Sequence, residues 1–174
     1  MNVIIVGGGA AGFFTAINIA EKHPDYRVTI LERSNKLLSK VKVSGGGRCN
    51  VTNGRNKPSE LIHFYPRGHK KLHPLFKTFS TDHMMEWLSS RGVETKTEQD
   101  LRVFPTSDSS QTIIDCFTRV ARKVGVQVVL NQKLTRIEGK DHQWQLYAGD
   151  QAYQADKLVI ATGSSSSIWG VLEQ

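Results

Sequence analysis

Residues 2–6 read NVIIV, and the next six read GGGAAG. A short, β-branched, nearly all-apolar run fits a buried parallel strand, because such strands are covered on both faces. Gly7, Gly9 and Gly12 then fall in the spacing G-x-G-x-x-G. From Ala10 to Lys22 the residues are good helix formers with apolar side chains on most faces, as in a helix packed into a core; Pro24 and Asp25 stop it. Arg27 to Leu31 (RVTIL) is a second strand. Strand, glycine turn, helix and strand within about 30 residues make a βαβ unit, whose crossover is expected to be right-handed.

The glycine spacing alone is a weak signal, and its context sharpens it. It follows a strand, opens a helix, and is answered by Glu32 at the end of the second strand, twenty residues past Gly12. Together these features form the dinucleotide fingerprint. Gly7 allows the tight turn, Gly9 lets a pyrophosphate approach the backbone, and Gly12 allows close helix–strand packing. Ala10 and Ala11 head a helix whose free N–H groups, with about half a positive charge, suit phosphates. Glu32 is expected to accept hydrogen bonds from ribose hydroxyls and to repel a 2′-phosphate, although Arg33 is adjacent. A glycine turn that starts a helix and binds nothing is the alternative. The fingerprint does not separate NAD from FAD.

The rest of the chain extends the α/β pattern. Residues 33–58 read as a long loop, which in a compact domain is usually functional or disordered. Helices are expected over 70–79 and 81–91. In the second, Thr81 is the N-cap, Met84, Met85, Trp87 and Leu88 form the buried face, and Gly92 is the stop. Short strands over 93–97 and 101–104 flank a turn at Gln99-Asp100. Ser109 to Val124 is a helix with Ile113, Ile114, Phe117, Val120 and Val124 at helical spacing, capped by Gly125. Strands over 134–137, 143–147 and 152–155 form an antiparallel meander, with turns at Gly139-Lys140-Asp141 and Gly149-Asp150. The expected fold is a Rossmann-like two-dinucleotide FAD-binding fold. Its parallel sheet uses strands near 2–6, 27–31, 126–130 and 157–161, and the meander is a small antiparallel addition. After the last strand come Ala161, Thr162 and Gly163. In two-dinucleotide flavoprotein folds this arrangement returns the chain to the cofactor's phosphates, whereas a simple NAD domain continues with further βα units. An ordinary strand-end turn is the alternative.

Composition narrows the setting. The chain has 174 residues, 39% apolar and 22% charged, an ordinary balance for a soluble domain. No apolar run approaches the roughly 20 residues that span a membrane, and the N-terminus lacks a basic region ahead of its apolar run. A cytoplasmic protein without a membrane partner is expected. The net charge of +7 suits an anionic partner. The basic residues are scattered, with short pairs such as Lys70-Lys71, so a solvated surface is favoured over a nucleic-acid face. Cys49 and Cys116 form no CxxC pair and read as two reduced thiols. His69 and His73 have i, i+4 spacing, but Pro74 follows and no carboxylate motif accompanies them, so no metal is expected. No Ser-His-Asp arrangement stands out.

Residues 44–53 read SGGGRCNVTN, and residues 102–105 read RVFP, followed by TSDSS. With the fingerprint, Glu32 and the Ala-Thr-Gly turn in order, the chain resembles the BaiN/YhiN-like flavoproteins. These are related to the fumarate-reductase and glutathione-reductase type folds. The resemblance implies FAD as cofactor and NAD(P)H as electron donor, with hydride passing through FAD to a small-molecule acceptor it does not identify. It implies that Gly45, Gly46 and Gly47 let the backbone lie close to the flavin and its ribityl phosphate, and that Ser44 hydrogen-bonds the cofactor. Arg48 would stabilise a phosphate or the negative charge of a reduced flavin, and Asn50 would pin the loop. Cys49 would be an inert thiol, structural or beside the flavin, with a catalytic thiol as the alternative, and the backbone around Leu134 would meet the adenine. Two segments depart from the family. Relatives carry Gly-Arg/Lys-Lys ahead of SGGG, and here Leu38-Ser39-Lys40 retains only the lysine; relatives read ATGG before a proline, and here Gly163 is followed by Ser164. Relatives also insert a substrate or lid domain and then return to the FAD domain, so residues 1–174 are expected to be an FAD-binding domain without either part. No catalytic acid or base is assigned, and oligomeric state is left open. A truncated, non-catalytic nucleotide-binding module and a flavoprotein acting on tRNA are the alternatives.

Overall fold

The computed structural model describes residues 1–140 and 143–173. The strands are β1 (Asn2–Val6), β2 (Arg27–Leu31), β3 (Thr52–Asn53), β4 (Thr95–Thr97), β5 (Arg102–Pro105), β6 (Gln127–Val129), β7 (Leu134–Lys140), β8 (Gln143–Ala148), β9 (Gln151–Ala155) and β10 (Lys157–Ile160). The helices are α1 (Ala10–Lys22), α2 (Ser39–Val43), α3 (Pro58–Leu61), α4 (His69–Thr78), α5 (Thr81–Ser89), α6 (Ser110–Lys123) and α7 (Trp169–Leu172). They fall into two compact units, Met1–Lys40 with Phe117–Gln174, and Val41–Cys116.

The first unit is built on a parallel sheet in the order β10-β1-β2-β6. In β1 and β2 only the first residue is exposed and the next four are buried, as β-branched strands covered on both faces require. Register pairs Ile5 with Ile30 on one side and with Val159 on the other. Helix α1 buries Gly12, Phe13, Ala16, Ile17 and Ala20. The rings of Phe13 and Phe117 meet at 6.2 Å. The meander forms an antiparallel sheet in the order β7-β8-β9. Its Leu134, Leu146, Ala148 and Ala155 pack with Ile4, Val6, Leu31 and Ile168 into one cluster, which fastens the meander to the sheet. The expected turn at Gly149-Asp150 is present. At Gly139 and Lys140 the backbone continues β7 to its end, and Asp141 lies outside the described residues.

The second unit holds a small antiparallel sheet, β3-β5-β4, with Thr52 opposite Val103 and Lys96 opposite Phe104. Leu61, Leu88, Val103 and Phe104 are its innermost apolar side chains. Helix α5 begins one residue earlier than Thr81 as cap implies: Ser80 is the extended N-cap and its amide donates to His83 Nδ1 at 3.1 Å. Thr81 instead donates its hydroxyl to the carbonyl of Arg55 at 2.7 Å. Trp87 and Leu88 are buried as expected, while Met84 and Met85 are half-buried. The stretch 33–58 is less loop-like than it reads, since α2, a 3₁₀ turn at Ser44–Gly47 and β3 lie within it. Each piece is too short to show a hydrophobic period. Among the described residues no helix is long and apolar enough to cross a membrane.

The tightest steric constraint is at Gly12, where an added Cβ would stand 1.9 Å from the carbonyl oxygen of Gly7. Gly12→Ala is expected to destabilise the chain by about 3 kcal/mol, the upper end of overpacking costs. Urea unfolding of the two forms measures it, and a difference under about 0.5 kcal/mol contradicts the packing described.

Candidate functional site

In the first unit, β1 runs into a turn that is held from several sides. The Gly7 amide donates to Leu31 O at 2.8 Å, and the Ala161 amide donates to Val6 O at 2.8 Å. Gly7 has φ of +115°, and a Cβ there would lie 2.4 Å from Ala161 O. The Ala161-Thr162-Gly163 turn is thus brought against the glycine turn, as its place after the last parallel strand implies. Gly9 is different. A Cβ on Gly9 meets nothing within 4 Å, so this residue faces open space.

Gly9 is also the N-cap of α1, in extended conformation, and the helix's first bond runs from the Phe13 amide to Gly9 O at 3.0 Å. The amides of Ala10, Ala11 and Gly12 precede that bond and have no intrahelical acceptor. No side chain caps this end, and the first turn carries no acidic residue. The positive end of a 13-residue helix is therefore left for an anion, next to the one glycine of the motif with open space before it.

Glu32 does more than its distance from the motif suggests. Its Oε2 accepts the Gly8 amide at 2.8 Å, and its Oε1 accepts the Ser34 amide at 3.0 Å and the Ser34 hydroxyl at 2.9 Å. With three donors already bound, a carboxylate with about four acceptor positions keeps one for a ligand hydroxyl. Gly8, which the motif leaves as a free position, is constrained on this account. It also accepts the Leu38 amide at 2.9 Å, and a Cβ there would come within 2.7 Å of Leu37 Cδ2. Sequence reasoning missed Gly8 and Ser34; a serine two residues after the acid was the available signal.

Arg33 and Lys40 converge on the serine segment after β10. Arg33 Nη1 donates to Ser165 Oγ at 3.2 Å, and Lys40 Nζ donates to Ser164 Oγ at 2.6 Å. Gly163 adopts φ of +61°, and a Cβ on it would be 3.8 Å from Lys40 Nζ. The serine that departs from the family pattern is therefore the retained lysine's partner. Leu134 places its side chain in the apolar cluster, with a bulge between it and Arg136. The backbone leading to it is tied to the acid's own peptide, because the Gln132 amide donates to Glu32 O at 2.8 Å.

In the second unit, the SGGGRCN stretch forms a 3₁₀ turn with φ of +55° at Gly45, +67° at Gly46 and +86° at Gly47. The three glycines have different duties. A Cβ on Gly45 would stand 2.7 Å from Asn50 N and 2.9 Å from Phe104 Cε1, so Gly45 serves internal packing. On Gly46 and Gly47 it meets nothing within 4 Å. Asn50 pins the loop as expected, its Oδ1 accepting the Val103 amide at 3.3 Å. The Ser44 hydroxyl donates to Val41 O at 2.9 Å, and the same side chain is in hydrogen-bond contact with the Cys49 thiol.

Arg48 is clamped within this unit. Its Nη1 lies 2.5 Å from Glu98 Oε1 and 3.6 Å from Asp108 Oδ1, and its guanidinium stacks 3.9 Å above the centre of the Phe104 ring. Asp108 also pairs with Lys96, and Arg102 pairs with Asp100 at 2.7 Å. The Lys96 hydrogen bond, followed by the Arg48 charge, holds the Asp108 carboxyl below the usual carboxylate range. The Arg102 amide does the same for Asp100. Phe104, Glu98 and Asp108 were not anticipated as partners of Arg48, although RVFP supplies the ring. Cys49 is buried with φ of +63°, and its amide donates to Ser44 O at 3.0 Å. Burial pushes its thiol up, only partly offset by hydrogen bonding with the Ser44 side chain. Among the described residues, no three His, Cys, Asp or Glu side chains gather where a metal could bind.

Residues 1–169 match the HI0933-like protein Rossmann domain. A 3-dehydro-bile acid delta(4,6)-reductase of Clostridium scindens is 25% identical over 163 residues, covering 94% of this chain and 39% of that protein. A ribosomal RNA dihydrouridine synthase of Escherichia coli is 27% identical over 165 residues, covering 95% of this chain and 40% of that protein. The chain thus spans about two fifths of the length of these relatives. Among solved structures, Thermovibrio ammonificans THI4 superposes with a TM-score of 0.63 at 16% identity, covering 99% of this chain and 61% of that one. CtdE in complex with FAD and a substrate superposes at 0.52 and 16% identity, covering 97% and 39%. At these identities the structures show the fold.

A thiol raised by burial is a poor nucleophile at neutral pH. In a Cys116→Ala background, Cys49 is expected to react with iodoacetamide at least about 100-fold more slowly in the native chain than in urea at pH 7.5. Its rate should climb only above the ordinary thiol pKa of about 8.5. Fast labelling near pH 6.5 would show a thiolate and contradict this.

Proposed function

The chain belongs to the HI0933-like Rossmann-domain family, and on that premise we propose that it is the FAD-holding part of a flavoprotein oxidoreductase. The observation that carries the reading is the uncapped N-terminus of α1, which opens into free space at Gly9. The residues present fit the ADP half of the cofactor. The amides of Ala10, Ala11 and Gly12 take the pyrophosphate, and the last acceptor position of Glu32 takes one ribose hydroxyl. Gly163 and Lys40 border the same turn from the β10 side, with Arg33 beside them. The backbone entering Leu134 takes the adenine. In the second unit Gly46 and Gly47 leave their backbone open to close approach, the property the family resemblance assigns to flavin contact. The FAD found in the CtdE complex supports this choice of cofactor over NAD.

Bound FAD would supply two-electron redox chemistry, with NAD(P)H as the donor and a small organic molecule as the acceptor. The chain's own part is to bind and orient: Glu32 and the helix end fix the nucleotide, and the Arg48 clamp keeps one guanidinium in place over Phe104. The relatives narrow the acceptor class. A delta(4,6)-reductase and a dihydrouridine synthase both saturate a carbon–carbon double bond, so the acceptor proposed here is an activated alkene. A second reading takes that alkene to be a base in RNA, favoured by the dihydrouridine synthases among the relatives.

Gly9→Ala is the direct test, because the added Cβ meets no protein atom within 4 Å and should obstruct only the ligand. The variant is expected to keep its melting temperature within about 2 °C while its affinity for FAD falls at least about tenfold, roughly 1.4 kcal/mol. Unchanged affinity would overturn the reading.

A further inference from the structure

One segment of the second unit carries none of the residues assigned above to the nucleotide. Residues 61–81 contain four Lys or Arg and no Asp or Glu, whereas the rest of that unit contains seven and eight respectively. The unit's whole positive surplus therefore lies in this segment. The other basic residues near it are matched: Arg55 and Lys57 pair with Glu60, and Arg48, Lys96 and Arg102 pair with Glu98, Asp108 and Asp100. Among the described residues, Arg67, Lys70, Lys71 and Lys77 are exposed and face no carboxylate.

Helix α4 arranges these charges. Lys70 and Lys77 are seven residues apart and so share one face about 10 Å apart, with His73 between them. Lys71 lies a quarter-turn away, and Arg67 precedes the helix. Ahead of α4 two rings are exposed, Phe64 at 53% and Tyr65 at 40%. Tyr65 is braced against Phe76 at 5.3 Å, which fixes it while leaving ring surface free. Unmatched cations beside supported aromatic faces are what a single-stranded polynucleotide requires, because phosphates take the charge and bases take the rings. An anionic membrane fits less well. An interfacial helix presents its apolar face outward, whereas Leu72 and Phe76 of α4 are turned in and only Leu75 is largely exposed.

We propose that the exposed segment carrying Phe64, Tyr65, Arg67, Lys70, Lys71 and Lys77 docks single-stranded RNA. The inference rests on the second reading above, in which the acceptor base belongs to RNA, and it gives that reading a surface. The scattered lysines of the sequence weighed against such a face, because their pairing was not visible there.

The test is fluorescence anisotropy of the full chain with a fluorescein-labelled 16-nucleotide oligouridine, run from 50 to 300 mM salt. Binding is expected with Kd on the order of 10 µM at low salt. The triple variant K70E/K71E/K77E should lose at least tenfold and flatten the log–log salt slope by about two. Tyr65→Ala should lose about fivefold through lost stacking. Three reversals in the first unit, R122E/K123E/K157E, should lose no more than about threefold at the same change in net charge. Retained FAD binding by each variant shows that it has folded. Equal loss from both triple variants would overturn the surface while leaving an RNA acceptor open. No binding at 100 µM RNA, or binding to phosphatidylserine vesicles without RNA binding, would overturn both the surface and the RNA reading. RNA binding through this face in a chain that ignores FAD would sustain the surface and overturn the flavoprotein reading.

Discussion

The first unit depends on one close approach. The turn after β1 lies so near its neighbours that a single methyl group on Gly7 would collide with Ala161 O, and one on Gly12 with Gly7 O. That contact brings together strands separated by about 150 residues of chain, since β10 pairs with β1 in the same region. It also orients α1, because Gly12 can sit on the turn only without a side chain. The result is a helix end with free amides held at a fixed point above the sheet. Glu32 completes the arrangement by holding the Gly8 amide and Ser34 together. The acid is thus a structural part of the turn.

The second unit solves a different problem, which is to keep a guanidinium and a glycine turn in place without a large core. Phe104 gives Arg48 a flat surface, Glu98 gives it an acceptor, and Asp108 shares its charge with Lys96. The groups remain partly open to solvent, so each pair contributes little to stability by itself. Their value lies in direction: a guanidinium held on a ring has few rotamers left. Asn50 fastens the end of the glycine turn to β5. Gly46 and Gly47 then present bare backbone from a fixed base.

Much of this was legible in the chain. The βαβ unit, the four parallel strands and the meander follow from β-branched runs, a helical period and turn residues, and all are present with ends shifted by up to three residues. Gly7, Gly9 and Gly12 could be given separate duties from spacing and context, and in the structure an added Cβ meets the Ala161 carbonyl at Gly7, the Gly7 carbonyl at Gly12 and nothing at Gly9. What was not legible depended on distance in space. Nothing in the sequence marks Glu98 and Asp108, fifty and sixty residues away, as partners of Arg48. The same is true of Ser164 and Lys40, where a departure from the family pattern is the lysine's hydrogen-bond partner. The short elements within 33–58 escaped because helices of five residues and strands of two carry no period.

The central claim is that the turn at Gly7–Gly12 and the carboxylate of Glu32 hold the ADP half of FAD. Isothermal titration of the wild-type chain with FAD, ADP and FMN tests it most directly, because the three ligands divide the cofactor at its pyrophosphate. The account predicts that FAD binds at about one equivalent, that ADP binds more weakly and competes with it, and that FMN shows no measurable binding. Binding of FMN without ADP, or of neither FAD nor ADP at 100 µM, would contradict it.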